Sequence, residues 1–226
     1  MAERARQERP RGHPMATEHD YLPAFGRDAL IPFYDLLSLA MGIRKVHRRL
    51  VDLAGLTDDT RTLEIGCGTG NLALLAKRLH PGTEIVGVDP DPLALARATR
   101  KAGSLGVRFD RGYGQALPYP DASFDRVLSS LMLHHLAGEA RTGTAEEARR
   151  VLRPGGALYL LDVGGRVQPS DGFMSRRYLR SPHLTENLGD GIPRLLLAAG
   201  FAECVELTHR VSRRIGRMTF YRATVS

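Results

Sequence analysis

Thr62-Leu63-Glu64-Ile65-Gly66-Cys67-Gly68-Thr69-Gly70-Asn71-Leu72 is the stretch on which the fold turns. Its left half is an apolar run with one carboxylate, Glu64; its middle is a glycine loop; its right half opens a helical pattern at Leu72, Leu74, Leu75 and Leu79. Strand, tight turn and helix start set a ligand against a helix N-terminus, where unpaired N–H groups point outward. One glycine permits the sharp turn, one lets backbone approach a ligand, and one lets helix pack on strand. The spacing narrows the ligand. Dinucleotide folds of the oxidoreductase kind use G-x-G-x-x-G, and a phosphate loop needs a Lys after its last glycine. Here Gly66, Gly68 and Gly70 read G-x-G-x-G, Glu64 stands two residues ahead, and no Lys follows.

Outward from this loop, Glu84-Ile-Val-Gly-Val88 reads as a second strand ending at Asp89, 19 residues after Gly70. A carboxylate there is placed to accept both ribose hydroxyls of a bound nucleoside. Asp91-Pro92 is the better N-cap for the next helix, which frees Asp89 for a ligand. Val107-Arg-Phe109 is a short third strand, and Phe124 to Ser129 a fourth. The fourth opens into Ser130-Leu-Met-Leu-His134-His135-Leu136, at the strand end where a doubly wound sheet carries its reactive groups. Thr144-Ala-Glu-Glu147 fits a capping box that starts a helix reaching Leu152. Ala157 to Val163 is an apolar fifth strand with Asp162 near its end. Arg166 to Gly189 lacks periodicity and reads as loop or short helices; Ile192 to Ala199 is a helix ended by Gly200. Two terminal strands follow, over about 203–211 and 218–225.

E-x-G-x-G-x-G after a strand resembles motif I of the class I S-adenosylmethionine-dependent methyltransferases. Gly112-Tyr-Gly-Gln-Ala-Leu-Pro-Tyr-Pro-Asp-Ala-Ser-Phe-Asp125 closely resembles the segment of that family reading G-D-A-E-A-L-P-F-P-D-x-S-F-D. Val151-Leu-Arg-Pro-Gly-Gly-Ala-Leu-Tyr-Leu160 resembles the subgroup with quinone-ring C-methyltransferases and many small-molecule methyltransferases. The resemblance is strong over about 60–163 and weak in the flanks. It implies an α/β, Rossmann-like, doubly wound fold: a seven-stranded, mostly parallel sheet, the last strand antiparallel, with helices on both faces. It implies S-adenosylmethionine as cofactor, with S-adenosylhomocysteine as product. Glu64 is then expected to hold the amino-acid end, Asp89 the ribose, and Pro90 to pack beside adenine. Gly66, Cys67, Gly68, Gly70, Gly114, Gln115, Ala116 and Ser129 are the further cofactor contacts expected, with Tyr34 a candidate from the N-terminal helices or, equally, a packing aromatic. The family acid that receives the adenine amino group is replaced by Tyr113, and Asp110 stands too early to take that role.

One domain is expected over 21–226, after a polar, charged tail over 1–20 with the composition of disorder. Its parts are an N-terminal helical cap (21–58), the cofactor-binding core (60–163), a substrate-side insertion (164–190) and closing helix and strands (191–226). There is no apolar run of ~18 residues to span a membrane and no apolar leader segment. The two cysteines, Cys67 and Cys204, make neither a metal pattern nor a disulfide framework, so no metal and a cytoplasmic location are expected. The net charge is +7, with 29 Arg against 3 Lys. Ten Arg against five acids fall in 164–226. An anionic partner or a solvated arginine-decorated surface would each account for this.

Methyl transfer from a sulfonium is an in-line displacement that needs alignment and exclusion of water. For an oxygen nucleophile, or a carbon activated by a phenolate, a base of near-neutral pKa helps, and His134 and His135 are the candidates. Adjacent residues on an extended segment point apart, so one at most faces the acceptor. Nucleic acid is disfavoured as acceptor. Ser129-Ser-Leu-Met132 stands where adenine methylation usually has Asn/Asp-Pro-Pro-aromatic, and no Pro-Cys nucleophile exists for cytosine. A small-molecule acceptor remains, with an RNA methyltransferase using the arginine-rich C-terminal quarter, or a catalytically silent scaffold for partner proteins, as alternatives.

Overall fold

The computed structural model describes residues 42–180, 182–212 and 215–226. The expected tail over 1–20, most of the expected helical cap and Tyr34 lie outside these. The cap is represented by α1 (Ile43–Ala54), which buries Ile43, Val46, His47, Leu50, Val51 and Ala54. That i, i+3, i+4, i+7 spacing makes one apolar stripe, with a histidine inside it.

Seven strands form one sheet: β1 (Arg61–Ile65), β2 (Glu84–Asp89), β3 (Val107–Arg111), β4 (Phe124–Ser130), β5 (Leu152–Val163), β6 (Glu203–Ser212) and β7 (Gly216–Thr224). Their order is β3-β2-β1-β4-β5-β7-β6, and β7 runs antiparallel to both neighbours. The expected doubly wound sheet is therefore present. The order reverses between β1 and β4, which leaves a crevice outside their C-terminal ends.

Strand alternation divides the core. On one face Leu63, Ile65, Val86, Val88, Leu158 and Leu160 pack on α4 (Gly138–Val151) and α6 (Gly191–Ala198). On the other, Ile85, Leu128, Tyr159 and Leu161 pack on α1 and on α2 (Asn71–Leu79). By the same period of two, Glu64 and Asp89 share the α1–α2 face, whereas Asp162 falls on the α4–α6 face.

Asp91 caps α3 (Pro92–Ala102) as expected, its side chain accepting from the N–H groups of Leu93 and Ala94. The capping box at Thr144 is not formed. α4 begins six residues earlier, at Gly138, and the Thr144 hydroxyl donates back to the Ala140 carbonyl at 2.7 Å. Glu147 faces the preceding loop instead: it accepts from the Leu117 N–H at 2.7 Å and pairs with Arg150, which also reaches Asp121 and the carbonyls of Leu117 and Tyr119. A mid-helix Thr that bonds its i−4 carbonyl gives no cap. The residues between β5 and α6 make short helical pieces, including α5 (Phe173–Tyr178).

Gly70 has φ +76°, and an added Cβ would lie 2.7 Å from Phe109 Cζ and 3.0 Å from Ala98 Cβ. Gly70→Ala is expected to lose roughly 1–3 kcal/mol through strain and overpacking, read as a lowered urea midpoint at unchanged slope. An unshifted midpoint would contradict this packing.

Candidate active site

The glycine turn is held by its neighbours on the rim. The N–H groups of Gly66 and Cys67 both donate to the Val88 carbonyl, at 2.9 and 3.1 Å. Gly68 N–H donates to Asp89 Oδ2 at 2.8 Å, while Asp91 N–H donates to Asp89 Oδ1 at 3.0 Å. Asp89 is thus not idle, as its freedom from capping suggests; it staples the turn to β2. Each of its oxygens accepts one of these backbone bonds, where a carboxylate oxygen can take about two. Burial raises its pKa against those hydrogen bonds.

Glu64 is 3% exposed, and its Oε2 accepts from Ala73 N–H in the first turn of α2 at 2.8 Å. Burial above all, helped by the nearby charge of Asp89, pushes its pKa up to about 8 against that hydrogen bond. The three glycines differ. Gly66 and Gly70 have their Cβ positions filled, by Met132 and by Phe109 with Ala98, whereas Gly68, at φ +50°, has nothing within 4 Å. Backbone at Gly68 is open to approach. Cys67 is a buried free thiol whose pKa burial raises further.

The loop from Gly112 to Ala116 is brought to the same rim by Gly112 N–H, which donates to the Asp89 carbonyl at 3.2 Å. Tyr113 and Ala116 close it as a turn, and Gly114 lies against Thr144 and Ile65. Gln115 and Pro90 are half-buried and Ala116 exposed. Asp110 is occupied by the Tyr119 hydroxyl and by Arg108, each at 3.0 Å. Ser129 is buried and donates its hydroxyl proton to the Ile65 carbonyl at 3.1 Å, tying β4 to β1.

At the end of β4 the chain turns through Leu131, a non-glycine residue at φ +55°. Strain of this kind persists only where surroundings impose it. The turn Leu133–His135 follows, and His134 Nδ1 lies 2.6 Å from Asp162 Oδ1, with Asp162 fully buried. His134 N–H also donates to Asp162 Oδ2 at 3.3 Å, and Val163 N–H to Oδ1 at 2.6 Å. With Nδ1–H directed at the carboxylate, Nε2 is the nitrogen left to exchange a proton. Burial alone would lower the His134 pKa; the charge and hydrogen bond of Asp162 outweigh it, and the net shift is upward. His135 packs on His134 at 4.1 Å between ring centroids. Burial, then the neighbouring His134, push it down to about 4. The two histidines are therefore unequal.

Around this pair lies a buried polar cluster that sequence reading missed. Arg141 is 4% exposed and donates to Asn187 Oδ1, the Glu186 carbonyl and the Leu133 carbonyl. Asn187 in turn donates to the Val163 carbonyl at 3.0 Å. His47 of α1 meets the Ser130 hydroxyl at 3.0 Å and is pushed by burial down to about 4. Asp162 carried one legible signal, a lone acid in an apolar strand. Arg141 and Asn187 carried none.

In an NMR titration His134 is expected above the ordinary 6.5 and His135 near 4. Because the folded-state pKa of His134 is raised, its contribution to stability is full below about 6.5 and is lost as pH rises through the folded value. The stability gap between wild type and Asp162→Asn should accordingly narrow with rising pH. Equal titration of the two imidazoles would refute the pairing.

Comparison with known proteins agrees with this geometry. The profile of a family described as a methyltransferase domain matches residues 63–160. The chain is 38% identical over 156 residues to a demethylmenaquinone methyltransferase of Thermus thermophilus, covering 67% of this chain and 70% of that protein. It is 37% identical over 166 residues to a protein of the same name from Deinococcus radiodurans, covering 71% and 67%. A solved S-adenosylmethionine-dependent methyltransferase from Thermotoga maritima superposes with a TM-score of 0.68 over 88% of this chain and 98% of that one; at 21% identity this likeness speaks for the fold. With the motif, the sheet and these relatives in agreement, the chain belongs to the S-adenosylmethionine-dependent methyltransferases and is an enzyme that uses S-adenosylmethionine.

Proposed function

We propose that the acceptor is a hydroxylated aromatic ring of the quinol kind, methylated at carbon, with His134 as the base. The observation that carries this reading is the His134–Asp162 pair at the ends of β4 and β5. The relatives named demethylmenaquinone methyltransferase support the same class of acceptor.

The residues of the rim fit the cofactor. Open backbone at Gly68 admits a ligand, and the remaining acceptor capacity of Asp89 suits two ribose hydroxyls. Glu64 suits the cationic amino-acid end, and Pro90 with the turn Gly114–Ala116 would flank the adenine. When bound, the cofactor supplies an electrophilic methyl on a sulfonium, whose departure as a thioether needs no acid. The chain's task is to raise the electron density of the acceptor. His134 Nε2 takes the proton of the ring hydroxyl, and Asp162 holds the ring orientation and stabilises the imidazolium. A raised His134 pKa makes a stronger base, and the phenolate it forms directs charge to the adjacent ring carbon. Once that carbon has taken the methyl, its C–H proton leaves to water and the imidazolium returns its proton to the ring oxygen, which restores the aromatic ring. His135, held neutral, adds no competing charge.

His134→Asn is expected to retain cofactor affinity in calorimetry while turnover of a reduced demethylquinone falls about 10²–10⁴-fold. Undiminished turnover would remove the base from His134. Gly68→Ala is expected to lose about 1–2 kcal/mol of stability through its positive φ, with no clash inside the protein, and while still folded to lose cofactor binding, since its Cβ meets no protein atom and would stand in the open approach; binding at wild-type strength would move the cofactor elsewhere. The raised Glu64 pKa gives a further expectation. At pH 7 binding of the cationic cofactor should release close to one proton, measured in buffers of different ionisation enthalpy, and Glu64→Gln should abolish that release. Equal proton release by the variant would sink the Glu64 assignment.

A further inference from the structure

α5 and the turn after it carry an exposed face. Ser175 is completely buried and anchors the helix, whereas Phe173 is 77% exposed. Arg176, Arg177 and Arg180 are exposed as well, and Leu179 is 41% exposed. Residues i, i+3, i+4 and i+7 share one helical face, so Phe173, Arg176, Arg177 and Arg180 lie together. The helical hydrogen bonds run on past Tyr178, from Leu179 N–H to the Ser175 carbonyl at 3.0 Å and from Arg180 N–H to the Arg177 carbonyl at 3.1 Å, which keeps Arg180 in register.

Among the described residues no carboxylate is paired with any of these three arginines. The Arg176 side chain donates to the Pro169 carbonyl. The nearby acids are engaged elsewhere: Asp171 accepts from Gln168 N–H, and Glu186 pairs with Arg141. The segment sits on the rim of the sheet. It follows the end of β5, packs against β7, and is followed by the turn whose Asn187 is bonded to Val163 and Arg141, beside His134.

We propose that this face docks the enzyme reversibly on an anionic lipid bilayer, with Phe173 entering the interface and the three guanidiniums meeting lipid phosphates. Guanidiniums match phosphate geometry and are weakly hydrated. An aromatic among cations on a short helical turn is the pattern of an interfacial contact. The exposed aliphatic Leu179, three residues on from Arg176, suits acyl chains and has no use on a nucleic acid. Among the described side chains of 173–180 Phe173 is the one aromatic, and a single ring offers no platform for successive bases. The contact is small, so it gives partitioning, not stable anchoring. The proposal deepens the acceptor reading and rests on it for its purpose, since a lipid-linked quinol would be met at the bilayer surface.

The chain has no Trp, so Phe173→Trp introduces a single reporter into it. Its emission is expected to be that of exposed indole in buffer and to shift blue with vesicles of phosphatidylcholine containing phosphatidylglycerol, not with phosphatidylcholine alone. Added salt should reverse the shift. The triple variant Arg176→Gln/Arg177→Gln/Arg180→Gln is expected to sediment with anionic vesicles about 10- to 100-fold more weakly, while turning over a soluble short-chain acceptor as the wild type does. The proposal is overturned if the indole does not shift, if it is already shielded in buffer, if the triple variant binds vesicles as the wild type does, or if single-stranded RNA is bound in preference to vesicles. A vesicle-induced shift without turnover of the soluble acceptor would leave the docking standing and defeat the acceptor; turnover without a shift would do the reverse.

Discussion

The bond between the Gly68 amide and the Asp89 carboxylate is the contact on which the rim of this enzyme depends. A turn with φ positive at Gly66, Gly68 and Gly70 leaves amides that no helix or strand can satisfy. The acid at the tip of β2 takes one of them, and its other oxygen takes the amide of Asp91, the residue that caps α3. Its carbonyl takes the amide of Gly112. One residue thus sets the starts of two helices and the loop that follows β3. Burying a carboxylate disfavours its charged form, and the raised pKa reflects that cost; the backbone hydrogen bonds offset it.

The opposite face carries a second polar system with a different logic. Asp162, His134, Arg141 and Asn187 are buried or nearly so, and each is satisfied by another or by backbone. Such groups add little net stability, because desolvation consumes much of their attraction. What they supply is position. The left-handed Leu131 swings the chain over β5, and the two bonds from Asp162 then fix both the backbone and the ring of His134. The stretch without periodicity, 166–189, is held to this cluster by Asn187, whose carbonyl accepts from the Gly165 N–H.

Most strands and helices of the core were legible because their signals are local. Period-two and period-3.6 apolar patterns, the Asp91-Pro92 start and the Gly200 stop all act within a few residues. Thr144 misled for the same reason. Its spacing to Glu147 matches a cap, yet whether a Thr caps or bonds back to i−4 depends on where the helix begins, and α4 begins at Gly138. Asp89 was legible as a candidate for holding the cofactor but not as a staple, since the partner amide at Gly68 lies 21 residues away.

What the sequence determined by itself was the order of elements, the glycine turn, the acids flanking it and the family they indicate. These rest on backbone preferences and on a short motif, neither of which needs distant contacts. Tertiary structure alone decided which of two adjacent histidines is held by a carboxylate, and which arginine is buried and which exposed. It also decided that Glu64 and Asp89 share one face of the sheet while Asp162 takes the other. The reason is that these choices depend on residues far apart in the chain coming together in the sheet, as His134 and Asp162 do across 28 positions, and no local pattern encodes such a meeting.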